Sequence, residues 1–256
     1  MPTLAIVSHK GGSGKSTVTA NLAGAIAAGG QRVLAVDVDP QGGLGAALGI
    51  SPAKPTVYEV LLGNATAREA TVATETDGIS VISADLDLAG AEVELPGRAQ
   101  WRFLLRNQLR PEVQRYAAVL LDTPPGLGVL SFAAVCAADA AVVVCPPEFM
   151  AYRALPDVLD MVKRAGIPVL GIVPTFAQRA TRHAREVAEA LEADYRELLL
   201  SPIPRRVALQ DAALAGVPIT RLQPSSDAAG AFVQLAKEVL SRAKKNSARS
   251  AHAATG

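Results

Sequence analysis

The chain runs to 256 residues, half of them hydrophobic and only 4% aromatic, with 25 basic against 24 acidic side chains. That is enough apolar chain for one large core built from Ala, Val, Leu and Ile, and a net charge of +1 excludes a polyelectrolyte. No run of about 18 uncharged apolar residues exists and no basic segment leads into a short apolar one, so neither a membrane span nor a signal peptide is expected, and the cytoplasm is the expected compartment.

Residues 3–8 read as a buried strand and 15–28 as an alanine-rich helix that Gly29-Gly30 stops. Arg32-Val33-Leu34-Ala35-Val36-Asp37 is a second buried strand ending in acid, followed by a polar, glycine-rich loop. A short amphipathic helix near 56–62, a strand at 79–83 and a longer helix around 98–110 come next. Arg98, Arg102, Arg106 and Arg110 share one face of that helix and read as a solvated stripe. Residues 117–122 and 140–145 are further buried strands, the second closed by Pro146-Pro147. A helix near 152–165, a strand at 168–173, a helix near 180–193, a short strand near 196–200 and a final helix near 227–244 complete the alternation.

Strand and helix signals in turn predict an α/β fold: a doubly wound, mostly parallel sheet with helices on both faces, in one domain over residues 1–245. Residues 246–256, rich in Ser and Ala and without periodicity, are expected to form a disordered tail. Cys136, in an apolar helix-like stretch, and Cys145, at the end of an apolar run, have no partners at C-x-x-C spacing and read as small core residues. A disulfide or cluster site is the lesser alternative.

Between the first strand and its helix stands His9-Lys10-Gly11-Gly12-Ser13-Gly14-Lys15-Ser16-Thr17, a compressed form of the G-x-x-x-x-G-K-[ST] pattern. A strand that passes through a glycine-rich turn into a helix gathers backbone N–H groups in one concavity, where the helix N-terminus adds partial positive charge. Gly11, Gly12 and Gly14 let the backbone wrap a phosphate, Lys15 can reach the β- and γ-phosphates, and the Ser16 hydroxyl can ligate Mg²⁺. Lys10 is surplus to that scheme. Taken alone it is a solvated loop lysine; taken with the loop, it serves a neighbouring subunit's phosphates.

This arrangement resembles the deviant Walker A motif of the ParA/MinD family of P-loop ATPases, in which that lysine crosses a dimer interface. The resemblance extends to Asp37-Val38-Asp39-Pro40-Gln41-Gly42, Leu86 to Glu92, Asp122-Thr123-Pro124-Pro125-Gly126-Leu127-Gly128, Pro146 to Phe149, and Ile203-Pro204-Arg205-Arg206 through Ile219, so it covers roughly residues 3 to 240. Gly43, where many relatives have Asn, and Ser16, where Thr is usual, depart from it. The segment Thr175 to Arg179 matches only loosely, which leaves the adenine contacts unassigned.

Acids complete the chemistry. In an open α/β sheet, ligands sit beyond the carboxyl ends of the strands, so Asp37, Asp39 and Asp122 should converge beside the loop. A strand-end acid that caps the next turn is the plainer reading of any one of them. The resemblance implies that Asp39 orients the attacking water, that Asp122 orients Mg²⁺ near Ser16, and that Asp37 touches the metal's water shell. Phosphoryl transfer is mostly positioning and charge stabilisation.

Residues 1–178 carry 13 basic and 16 acidic side chains, and residues 179–256 carry 12 and 8. A basic final part suits non-specific duplex DNA, with Arg205, Arg206, Lys244 and Lys245 as candidate phosphate contacts. The partitioning branch of the family implies an ATP-dependent homodimer on the nucleoid, working with a ParB-like centromere-binding partner. The alternative is a MinD-like positioning ATPase on a membrane, but residues 241–256 contain no Leu, Ile, Val, Phe, Trp or Tyr to anchor it. A metabolic or redox relative would want paired cysteines or an added substrate domain, and a tyrosine-kinase relative a tyrosine-rich tail.

Overall fold

The computed structural model describes residues 2–177 and 182–253. Strands β1 (Thr3–Val7), β2 (Val33–Asp37), β5 (Ala118–Asp122) and β6 (Ala140–Cys145) are buried at every residue, as two-faced burial of a parallel sheet requires. With β3 (Thr71–Ala73), β4 (Ile79–Ile82), β7 (Val169–Ala177) and β8 (Ile203–Pro204) they make one eight-stranded sheet in the order β3-β4-β2-β5-β1-β6-β7-β8. All pairings are parallel except β3 with β4. β3 is a short, partly exposed edge strand that the sequence pattern does not announce.

Alternate residues of each strand feed two separate cores. Leu4 and Ile6 join Val18, Leu22 and Ile26 of α1 (Lys15–Ala28), Leu44 of α2 (Gly43–Ala47), and Phe232, Leu235 and Val239 of the last helix. Ala5 and Val7 face the other layer, which holds α3 (Val57–Leu62), a short α4 (Ala91–Glu94), α5 (Leu104–Val113), α6 (Val129–Ala137), α7 (Phe149–Arg153), α8 (Leu155–Arg164) and α9 (Arg182–Tyr195). The doubly wound α/β expectation holds. Among the described residues, no helix is long and apolar enough to cross a membrane.

The strand expected at 168–173 runs on to Ala177 and the helix expected near 152–165 is the pair α7 and α8, and three further boundaries differ more from the sequence reading. The helix expected from residue 98 begins at Leu104, because Gln100 takes a left-handed φ of 52° and the chain spends Leu95–Gly97 and Trp101–Phe103 in tight 3₁₀ turns. The strand expected near 196–200 is a 3₁₀ turn over Arg196–Leu198, with one bridge from Leu199 to Ile172; pairing resumes at Ile203–Pro204, where proline is tolerated because the strand is at the edge. The last helix, α12, runs from Asp227 to Ala253, so the tail expected to be disordered from 246 is helical that far. No Gly or Pro interrupts residues 231–255, and Ala, Lys and Arg are good helix formers.

The segment after β8 folds as α10 (Val207–Leu214) and α11 (Ile219–Leu222), and it is fastened to the helix behind the glycine-rich loop. Asn21 of α1 accepts the Ile219 N–H through Oδ1 at 2.7 Å and donates through Nδ2 to the Thr17 carbonyl at 2.8 Å. Beside it, a Cβ on Gly24 would stand 2.3 Å from Pro218 Cβ. Arg242 ties α12 down by donating to the carbonyls of Leu170 (2.8 Å) and Leu199 (2.9 Å), so one charge of the basic terminal run is structural. We predict that Gly24→Ala lowers unfolding free energy by roughly 1–3 kcal/mol through overpacking against Pro218. Urea titration measures this, and an unchanged midpoint would show that α11 shifts freely.

Candidate active site at the carboxyl ends of the strands

β1 ends at Val7 and the chain turns through a loop shaped by two left-handed glycines, Gly12 at φ 71° and Gly14 at φ 92°, the second capping α1. Three hydrogen bonds from other elements hold the loop and its root. Thr123 Oγ1 donates to the Ile6 carbonyl at 2.8 Å, the Gly126 N–H to the His9 carbonyl at 2.9 Å, and Thr175 Oγ1 to the Ser13 carbonyl at 2.7 Å. Gly11, Gly12, Ser13, Gly14, Lys15, Ser16 and Thr17 then line one cavity of about 380 Å³ with Asp39, Gln41, Pro125 and Phe176.

Behind that cavity sit the buried charges. Lys15 is only 6% exposed, and burial lowers its pKa against the pull of Asp122 and Asp39. Strand register sets Asp37 directly opposite Asp122, both fully buried. Burial, reinforced for Asp37 by the charge of Asp122, raises Asp37 to about 8, and burial raises Asp122 to about 7 against the Ser16 hydroxyl and the Lys15 ammonium. Thr19, one turn along α1 from Lys15, donates to Asp122 Oδ1 at 3.2 Å; Asp122 Oδ2 is buried with no partner in the structure.

Asp37 is engaged differently from Asp122. Its Oδ1 accepts the Asp39 N–H at 3.1 Å, and its Oδ2 accepts the N–H groups of Leu44 and Gly45 at 3.0 and 3.1 Å. The acid expected at the metal's water shell is therefore also the builder of the 38–45 turn and of the start of α2. Asp39 lies outward of it, half-buried, with Oδ1 accepting the Gln41 N–H at 3.0 Å. Among the described residues no group of three or more His, Cys, Asp or Glu side chains could hold a metal ion by itself. A single hydroxyl, one unpartnered carboxylate oxygen and a substrate's phosphates suit Mg²⁺, which usually keeps several waters.

A family profile described as an AAA domain matches residues 1–166. The chromosome partitioning protein ParA of Caulobacter vibrioides is 36% identical over 259 aligned residues, covering 97% of both chains. The chain belongs to the ParA/MinD family of P-loop ATPases. The solved cell division ATPase MinD of Pyrococcus furiosus matches with a TM-score of 0.79 at 31% identity, covering 93% of this chain and 98% of that one. A Mycobacterium smegmatis structure described as cobyrinic acid a,c-diamide synthase with bound ATP analogue and magnesium matches at 0.82 and 33% identity, covering 96% and 97%.

Lys10, the loop lysine expected to serve a neighbouring subunit, is exposed and forms an ion pair with Glu148, 138 residues away. The candidate DNA contacts separate into three situations. Arg205 is exposed, with no ion pair among the described residues. Arg206 is held by Asp227, its Nε donating to Oδ2 at 3.0 Å, so its charge is already answered within the chain. Lys244 and Lys245 are exposed on α12, roughly 25 Å of helix beyond Asp227.

The sequence reading did not pick out Thr19, and it placed Thr123, Thr175, Phe176 and Glu148 only within segments compared with the family, without a role of their own. Thr19 was findable, since a residue four beyond Lys15 shares its helix face. The rest come from long-range contacts. Cys136 and Cys145 are buried free thiols, and burial pushes Cys145 up to about 12.

Asp122→Asn should raise the thermal midpoint of the nucleotide-free protein. The unfolded Asp122 carboxyl ionises near 3.8 and the folded one near 7, so wild type loses stability between those values and the amide does not. Thermal scans should show the gap opening from about pH 4 and levelling above about pH 7; a gap independent of pH would point to packing instead.

Proposed function

We propose that this chain is a DNA-partitioning ATPase: it binds ATP with Mg²⁺, forms a homodimer, holds duplex DNA without sequence preference, and lets go when a ParB-like partner stimulates hydrolysis. One observation carries the chemical half of this reading. A glycine-shaped loop, a buried lysine and a half-exposed aspartate line one cavity, and an unpartnered buried carboxylate oxygen, Asp122 Oδ2, lies behind its Lys15 and Ser16 wall.

In this reading Lys15 and the loop N–H groups hold the β- and γ-phosphates. Ser16 and Asp122 Oδ2 hold the metal, with Asp37 behind them fixing the turn. When bound, Mg²⁺ supplies neutralisation of charge on the phosphate oxygens. Asp39, at the outer edge, orients the water for attack. Lys10 must leave Glu148 to reach the partner subunit's nucleotide, and an exposed pair of this kind is worth only about 0–1 kcal/mol, so it yields readily.

The DNA half is supported by the named Caulobacter relative and by the exposed cations Arg205, Lys244 and Lys245. Arg206 would first exchange its exposed ion pair with Asp227 for a phosphate, whereas Arg205 has no such pair among the described residues. The same cations could meet an anionic membrane, but the end of α12 lacks the apolar face that such a helix needs. The synthase-named structure is matched over 97% of its own length, so it brings no additional substrate domain to the comparison.

Co-sedimentation with duplex DNA and, separately, with anionic liposomes tests the class, each with ATP, with ADP and without nucleotide. DNA pelleting with ATP alone is expected; liposome pelleting, or DNA binding indifferent to nucleotide, would overturn the proposal. Arg205→Ala should reduce the steepness of the log affinity against log salt plot by about 0.9 for each phosphate no longer neutralised, while ATP-driven dimerisation persists. Asp39→Ala should keep ATP binding and dimer formation but lose most turnover. Normal single-turnover hydrolysis in that variant would move the water-orienting role elsewhere.

A further inference from the structure

The arginines that precede β5 take no part in the site at the strand ends. Residues 98–115 hold five arginines and one acid, Glu112, which is buried and paired with Arg115, while the remainder of residues 1–178 holds 8 basic and 15 acidic side chains. Arg98 is drawn aside, donating to the Leu62 carbonyl at 3.1 Å. Arg102, in the 3₁₀ turn before α5, and Arg106 and Arg110 on α5 all stay exposed. Arg106 has a long, water-screened pair with Asp139 at 3.8 Å, and Arg102 and Arg110 have no ion pair among the described residues. These cations border α6 and the end of α8. The Arg164 guanidinium lies 5.9 Å from the centre of the Phe132 ring, and the Trp101 ring stands 6.0 Å from it on its own side. One turn beyond Phe132, burial raises the Cys136 thiol against the charges of Arg102 and Arg106, so both guanidiniums stand over the same stretch of α6.

Four cations around two half-buried rings make a face complementary to a polyanion. α5 has already spent its apolar residues Leu105 and Leu109 on the core, so a lipid surface would meet charge without the apolar stripe that holds a helix in it. A folded acidic protein would have to match the guanidiniums one by one. A phosphate backbone asks only for cations in a row: Arg106 and Arg110 are one helical turn, about 6 Å, apart, and duplex DNA offers a charge for about every 1.7 Å of its axis, in any register. The face also lies away from the cations already proposed to hold DNA. α5, α6 and α8 pack into the core on one side of the sheet, and α10, whose start carries Arg205, packs into the core on the other. We infer that Arg102, Arg106, Arg110 and Arg164 form a second contact for duplex DNA, so that one molecule holds two duplex segments at once, one on each side of its sheet. This rests on the DNA-binding reading above and adds bridging to it.

Bead-bound duplex DNA, loaded with the protein and ATP and then offered a labelled free duplex, tests the second contact. Three proteins are compared: wild type, the triple change Arg102→Gln, Arg106→Gln, Arg110→Gln, and the same three positions changed to Lys. Wild type should load on the beads and capture the free duplex. The glutamine variant should still load through the Arg205 side but capture about tenfold less, having lost three phosphate contacts. The lysine variant should recover capture, because a phosphate contact asks for charge rather than for the guanidinium fork. Undiminished capture by the glutamine variant, or a wild type that loads but captures nothing, would overturn the second contact and leave the proposed function in place. So would binding of phosphatidylglycerol vesicles or of polyglutamate that the glutamine changes abolish while capture persists, since the face would then belong to a lipid or to an acidic protein. A wild type that loads on no duplex in any nucleotide state overturns both.

Discussion

Two carboxylates on adjacent strands, both shut away from water, cannot both carry charge unless a cation joins them. Asp37 and Asp122 are such a pair, and the C-terminal edge of the sheet is organised around them. Asp37 gathers three backbone N–H groups and so shapes the turn that presents Asp39. Asp122 engages Thr19 with one oxygen and leaves the other without a partner, beside a lysine that burial has already weakened as a base. The Lys15 ammonium is pulled by two of the three acids, Asp122 and Asp39. The nucleotide-free site is thus short of positive charge, which is the condition under which a divalent cation and its phosphates bind most readily.

The same edge of the sheet connects the loop to the segment that carries Arg205. α1 reaches α11 through Asn21 and the Gly24–Pro218 contact, and α2 reaches the turn before α11 where Gly49 and Gly216 approach so closely that a Cβ on Gly216 would stand 2.6 Å from Gly49 Cα. Both helices begin at residues that the site chemistry uses, α1 at Lys15 and α2 just past the turn that Asp37 holds. The loop and the turn are therefore joined to α11 through the Asn21 side chain and through two close approaches, Gly24 on Pro218 and Gly49 on Gly216.

The central strands and the glycine-rich loop were legible because each is local. Four to six consecutive apolar residues closed by an acid, by prolines or by a glycine-rich turn carry their own assignment, and strand-end geometry then brings Asp37, Asp39 and Asp122 together. The rest depends on partners far along the chain. Asp227 lies 21 residues from Arg206, Glu148 lies 138 from Lys10, and Arg242 reaches carbonyls more than 40 residues away. No periodicity encodes those pairings, so the sequence alone does not show that Lys10, Arg206 and Arg242 are engaged within the chain. The run Leu198-Leu199-Leu200 misled for another reason: apolar residues packed under an edge look like a strand whether or not they pair.

The most direct test of the cation-hungry pair is the pH dependence of Mg²⁺ affinity in the ADP-loaded protein, measured by calorimetry between about pH 7 and 9, where ADP itself is almost fully ionised. If Asp37 and Asp122 hold protons until the metal displaces them, Mg²⁺ binding should strengthen as pH rises through the window around their raised values of about 8 and 7, then level off. Mg²⁺ affinity that stays flat across that range would contradict the account, because it would mean that the pair is already ionised, or already answered by Lys15, before any metal arrives.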